Sequence, residues 1–123
     1  MKISELTKAE EEIMQVLWKL EKGFVKEIRA EMPEPKPAYN TVSTIVRILQ
    51  KKGMVAHDIL GKSHCYFPLI SKEEYSKHKM ENLMKGYFEG SFSRMVSFFV
   101  ENKKLNTREI EDILQILQKE SKQ

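Results

Sequence analysis

Residues 39–53 read YNTVSTIVRILQKKG. Val42, Ile45, Val46 and Leu49 stand at i, i+3, i+4 and i+7, and at about 100° per residue they gather on one helical face. Asn40, Thr44, Arg47 and Lys51 fall on the opposite face, flanked by Thr41 and Ser43. The spacing predicts a helix from Tyr39 to Lys52, stopped by Gly53. Immediately after it, Met54–Ile59 and Ser63–Leu69 are strand-like, with Leu60-Gly61-Lys62 between them as a hairpin turn.

Upstream, Thr7-Lys8-Ala9-Glu10 has the form of a capping box, in which Thr7 accepts from an orphan amide and Glu10 reaches back. Ala9, Ile13, Val16, Leu17 and Leu20 follow at helical spacing, widened by Met14 and Trp18, and Gly23 supplies a stop. A first helix over 8–22 is expected, then a very short strand at Phe24-Val25. A second helix over 26–32 turns Ile28 and Met32 inward, and Pro33, Pro35 and Pro37 break it. The order is helix, helix, helix, strand, strand. Three compact helices with a hairpin make a winged helix-turn-helix, expected over residues 1–70.

Residues 71–123 read as helix only. Ser71 to Glu74 forms a second capping box ahead of a helix from 72 to about 88. Phe92, Met95, Val96 and Phe99 repeat the i, i+3, i+4, i+7 pattern, and Asn106 caps a last helix with the stripe Ile110, Ile113, Leu114 and Leu117. Tyr87 and Phe88 add to the apolar content. So few elements cannot bury such stripes alone, and packing against a second copy in a symmetric dimer is the simplest remedy. The fold class is therefore mainly α (α+β): a winged helix with a two-stranded wing, followed by an all-helical dimerisation region.

Composition narrows the function. The chain has 123 residues, 41% of them apolar, and a single cysteine, which excludes an internal disulfide and suits the cytoplasm. Its longest apolar run is six residues, Cys65 to Ile70, far short of the ~20 a membrane helix needs. The opening Met-Lys-Ile-Ser-Glu lacks the apolar centre of a signal peptide. Net charge is +3, unevenly spread. Residues 1–35 carry 6 basic and 8 acidic side chains, whereas residues 36–66 carry 5 basic ones (Lys36, Arg47, Lys51, Lys52, Lys62) and one acidic, Asp58. A basic segment around a polar helix face points to an anionic partner.

Double-stranded DNA is the partner whose chemistry fits. Asn and Arg make two-point hydrogen bonds to adenine and guanine edges, and threonine offers a methyl to thymine. In helix-turn-helix proteins the N-terminal half of the recognition helix, here the third helix, meets the bases. Tyr39, Asn40, Thr41, Ser43 and Thr44 occupy that half here, and Arg47 and Lys51 come later, where the backbone lies. At the wing, Lys62 and His64 can reach a phosphate or the minor groove. The alternative uses of the fold are a protein-interaction module or a metal-responsive regulator built on His57, His64, Cys65 and His78.

Other chemistries find little support. Gly61-Lys62-Ser63 imitates the end of a phosphate-binding loop, but the glycine required five residues earlier is Ala56. The His and Cys residues lack C-x-x-C or H-x-x-x-H spacing, and His64 and Cys65 point to opposite faces of a strand. Neither a metal nor a cofactor is expected. Carboxylates alternate with lysines on helix surfaces, with no nucleophile or base set up, so no enzyme is expected either.

Leu6 to Glu10 with Ile13 to Trp18, the stretch Asn40 to Gly53, and Phe92 to Glu101 followed by Leu105 to Leu117 together resemble the penicillinase-repressor family. That family includes the methicillin-resistance and copper-transport repressors. The resemblance covers nearly the whole chain and implies a cytoplasmic homodimeric repressor with one recognition helix in each half of a palindrome. In the penicillinase branch it also implies release by a membrane-bound sensor protease pathway, through a cut at an Asn-Phe bond in the tail. This chain has Phe98-Phe99 at that bond, Asn40 where a basic residue is usual, and Ala38-Tyr39 in place of Ser-Pro. The copper branch carries a cysteine-rich hook near its C-terminus, and this chain has no cysteine beyond Cys65.

Overall fold

Thr7 starts the first helix, α1 (Lys8–Leu20), and its hydroxyl accepts the Glu10 amide at 3.2 Å while the Glu10 carboxylate accepts the Thr7 amide at 2.8 Å. This is the reciprocal cap expected. The computed structural model describes residues 3–121. After α1 come α2 (Val25–Ala30), α3 (Tyr39–Lys51), β1 (Val55–Leu60), β2 (Ser63–Pro68), α4 (Lys72–Tyr87), α5 (Phe92–Glu101) and α6 (Thr107–Ser121). The chain forms two compact units, divided between His78 and Lys79 inside α4.

The first unit is a winged helix. Ile13, Met14 and Leu17 of α1, Ile28 of α2, and Val42, Val46 and Leu49 of α3 are all fully buried and form one cluster. Met54 and Val55 close the cluster under the hairpin, in which β1 and β2 run antiparallel from Val55↔Pro68 to Leu60↔Ser63. Gly61 takes a positive φ of 67° at the turn, a conformation that favours glycine. Met32 lies beyond the end of α2 and is still buried.

Three local expectations change. Ala9 is exposed, and Glu10 takes the buried place instead. Lys52, at the end of α3, explains this: its ammonium lies 2.7 and 3.0 Å from the two Glu10 oxygens and 3.1 Å from the Glu5 carbonyl. Second, α1 ends at Leu20, because Glu21 turns the chain at a φ of 70° while its amide still bonds Leu17. Third, no strand forms at Phe24-Val25. Gly23 alone bridges to Tyr66, with paired backbone bonds of 2.9 and 2.8 Å, and Phe24 caps α2. A Cβ on Gly23 would stand 3.3 Å from Leu20, so the close approach favours glycine.

The first turn of α4 also belongs to this unit. Ser71 accepts the Glu74 amide at 3.0 Å. Tyr75 is buried, its ring 5.6 Å from that of Trp18 and its hydroxyl donating to Glu11 at 2.8 Å. Burial, and then the Glu11 carboxylate, push the Tyr75 hydroxyl well above the usual phenol range. Trp18 completes the corner with an indole bond to the Ile70 carbonyl at 2.9 Å.

The second unit is less finished. Ser91 caps α5 and Asn106 caps α6, each accepting the amide three residues on. Among the described residues from Lys79 onward, Met95 alone is buried. Phe88, Phe98 and Phe99 form a chain of tilted rings 5.6 and 5.8 Å apart.

The Glu10–Lys52 pair carries a prediction. Burial raises the Glu10 carboxyl, but the Lys52 ammonium and the Thr7 amide together bring it below the usual range. The pair therefore stabilises the fold above the unfolded carboxylate range, and its contribution is lost as pH falls through the lower folded value. Lys52→Met should cost about 1–3 kcal/mol, less than a fully buried pair, since the Lys52 side chain is 30% exposed. Urea titrations at a series of pH values check this, and the gap between wild type and Glu10→Gln should close at the acid end.

Candidate nucleic-acid interface

Burial of Val42, Val46 and Leu49 decides which way α3 faces. Their opposite numbers Asn40, Thr41, Thr44, Arg47 and Lys51 are exposed, as is Tyr39, while Ser43 is half-buried. The Thr44 hydroxyl donates to the Asn40 carbonyl at 2.9 Å, and its oxygen can still accept a hydrogen bond. Arg47 holds the Ser43 carbonyl through Nε at a long 3.4 Å, and its two terminal nitrogens make no bond within the described residues.

The wing lies beside this face and divides it into two open grooves. One, of about 660 Å³, runs along the C-terminal half of α3, between Thr44, Arg47, Ile48 and Lys51 and the wing residues His57, His64 and Tyr66. The other, of about 520 Å³, runs along its N-terminal half, between Tyr39 and Ser43 and the wing residues Lys62, Ser63 and His64, with Lys26 and Glu27 at the rim. His64 and Tyr66 line both grooves, so α3 and the wing present one surface.

The structure trims the charge argument. Lys52 is spent on Glu10, and Lys36 lies over the end of α2, bonded to the carbonyls of Ala30 and Met32. Of the five cations counted between residues 36 and 66, Arg47, Lys51 and Lys62 remain on the surface in question. Lys26 joins them from α2, and the sequence reading missed it because it lies outside the basic segment. Arg29 is structural: its Nε donates to the Pro37 carbonyl at 2.7 Å and ties down the loop leading into α3.

Gln50, His57, Ile48 and Tyr66 are further lining residues that the sequence reading did not place here. His57 appeared there only as a metal candidate. Cys65 is buried on the other face of β2, and among the described residues no group of three His, Cys, Asp or Glu side chains is arranged to hold a metal. A polar helix tip followed by cations, beside a wing carrying Lys62 and His64, is suited to a groove edged by phosphates.

In the second unit, Phe92, Val96, Ile110, Ile113, Leu114 and Leu117 line an apolar groove of about 310 Å³ between α5 and α6. Tyr87, Phe92, Leu114 and Leu117 are exposed, as are Phe98 and Ile116, which the predicted stripes omitted. Phe88, Val96, Phe99, Ile110 and Ile113 are half-buried, and Met95 is already covered within the unit. Phe98-Phe99 lies inside α5.

The comparisons with known proteins agree on one family. The sequence profile described as penicillinase repressor matches residues 6–119. The penicillinase repressor of Bacillus licheniformis is 30% identical over 118 residues, which is 95% of this chain and 92% of that one. The methicillin resistance regulatory protein MecI of Staphylococcus aureus is 28% identical over 96% of this chain and 97% of its own. Among solved structures, the DNA-binding domain of the repressor BlaI superposes with a TM-score of 0.53 at 31% identity, covering 60% of this chain and 92% of that domain.

The exposure pattern predicts how substitutions divide. Asn40→Ala and Thr44→Ala should leave folding stability within about 0.5 kcal/mol of wild type. Val46→Ala, on the buried side, should cost about 2 kcal/mol. Chemical denaturation of the three variants measures both.

Proposed function

Because this chain belongs to the penicillinase repressor family, we propose that it is a cytoplasmic transcriptional repressor that binds a palindromic operator as a homodimer. The observation that carries the reading is the outward face of α3, polar at its tip and cationic beyond, set beside the wing in a unit like the BlaI DNA-binding domain. Asn40, Thr41, Ser43 and Thr44 read base edges in the major groove, with Tyr39 at the helix tip. Arg47, Lys51, Lys62 and Lys26 hold phosphates, and His64 meets the DNA from the wing. Repression needs no catalysis, since an occupied operator excludes polymerase.

Residues 1–70 with the first turn of α4 form the DNA-binding part, and the rest of the tail joins two copies. The exposed apolar groove of α5 and α6 supports this role. Two half-site contacts then act as one binding event, with half-sites about 34–36 Å apart. The release route is loss of the tail downstream of a membrane sensor. A cut at Phe98-Phe99 would part Phe92 and Val96 from the α6 residues that form the other wall of the groove. The bond is helical, so local unwinding must precede cutting.

Selection of duplexes from a randomised library by the full chain tests the reading. The expected winner is an inverted repeat. Its affinity should fall with salt, with a log–log slope of about 0.9 per phosphate held, or roughly 7 for four cations on each of two protomers. Asn40→Ala and Thr44→Ala should each lose roughly tenfold on the winner, and little on random DNA. Recovery of no preferred duplex would overturn the assignment. A chain ending at His78 should sediment as a monomer and bind the same duplex at least tenfold more weakly. A dimeric truncation would place the subunit contact elsewhere.

A further inference from the structure

The base of the wing is fixed in the core by Val55 and Tyr66, but its outer residues, 57–64, are half-buried or exposed, so the side chains there depend on a few contacts. On one side, Gly23 bridges to Tyr66. On the other, the Gln50 side-chain oxygen of α3 lies 2.8 Å from Nδ1 of His57 on β1. An amide oxygen only accepts, so Nδ1 carries the proton of this bond. The His57 ring stacks on that of His64, with centroids 4.0 Å apart and planes 8° from parallel.

The register explains the stack. His57 pairs with Tyr66, and His64 pairs with Ile59, so the two histidines are diagonal neighbours on one face of the hairpin. Tyr66 backs both rings, at 5.4 and 6.1 Å. Exposure rises along the series: Tyr66 is buried, Gln50 and His57 are half-buried, and His64 is exposed. The series leads from the recognition helix to a side chain that lines both grooves.

We infer that Gln50 and His57 are positioning residues for operator binding: Gln50 fixes the His57 ring, and the fixed ring presents the stacked His64 to the DNA. The inference rests on the DNA-binding reading above. Neither residue needs to touch DNA. An unsupported His64 would sample several rotamers and lose part of its affinity in being ordered on binding. The hydrogen bond and the stack remove that loss in advance.

The test uses the full chain and the duplex enriched from the randomised library. Gln50→Leu and His57→Phe each remove the same hydrogen bond, so each should weaken binding about three- to tenfold. The double variant should weaken it no further than the worse single. In a His64→Ala background, Gln50→Leu should change binding by less than twofold. The His64 ring-proton resonances should show the ring-current shift of a stacked partner, kept in His57→Phe and lost in His57→Ala.

An undiminished Gln50→Leu effect without His64 would overturn the inference, since Gln50 would then act by a route other than His64. No effect in the wild-type background would overturn it as well. Should the His57 variants fail to fold, the half-buried Gln50 position carries the test alone. If the wild type enriches no duplex, the DNA reading fails and this inference falls with it. If it enriches one and the coupling is absent, the inference alone fails.

Discussion

Lys52 bonds both carboxylate oxygens of Glu10, and the same carboxylate accepts the amide of Thr7, the cap of α1. One side chain thus fixes the start of the first helix and the end of the third. The apolar seam of Val42, Val46 and Leu49 sets the rotation of α3, and Lys52 sets its end. With both settled, Asn40, Thr44, Arg47 and Lys51 have no direction left but outward. The candidate interface is in this sense the remainder of the core: its geometry follows from what α3 must bury.

The same logic separates the two units. In the first, three helices and a hairpin share one apolar cluster, extended by Trp18, Ile70 and Tyr75 to the first turn of α4. In the second, α5 and α6 are well capped, but of their stripes Met95 alone is fully buried, and Phe92, Leu114 and Leu117 are exposed. Caps and periodicity make a helix, whereas only a partner surface makes a core. Tyr87, Phe92, Leu114, Ile116 and Leu117 therefore stay exposed in the single chain.

Much of this was legible in the residues. The face of α3, the hairpin after it, the cap at Thr7 and the all-helical tail all follow from local spacing. What escaped depends on contacts between distant residues. Glu10 counts as a surface carboxylate until Lys52, 42 positions away, is brought to it. Lys36 and Lys52 count as free cations until each is seen spent on a carbonyl or a carboxylate. Lys26 enters the interface from a segment whose summed charge is negative. Gln50 reads as one more polar residue on the helix, and its role depends on the register that places His57 diagonal to His64. Periodicity shows which side of an element faces in, but it does not show which polar side chains meet.

The central claim is that α3 and the wing form one DNA-reading surface. Amide chemical-shift mapping of the full chain, titrated with a duplex it has selected, tests this most directly. The account predicts the largest shifts at residues 39–51 and 62–66, with the α5–α6 groove little changed. Shifts concentrated on that groove, with α3 unmoved, would contradict it.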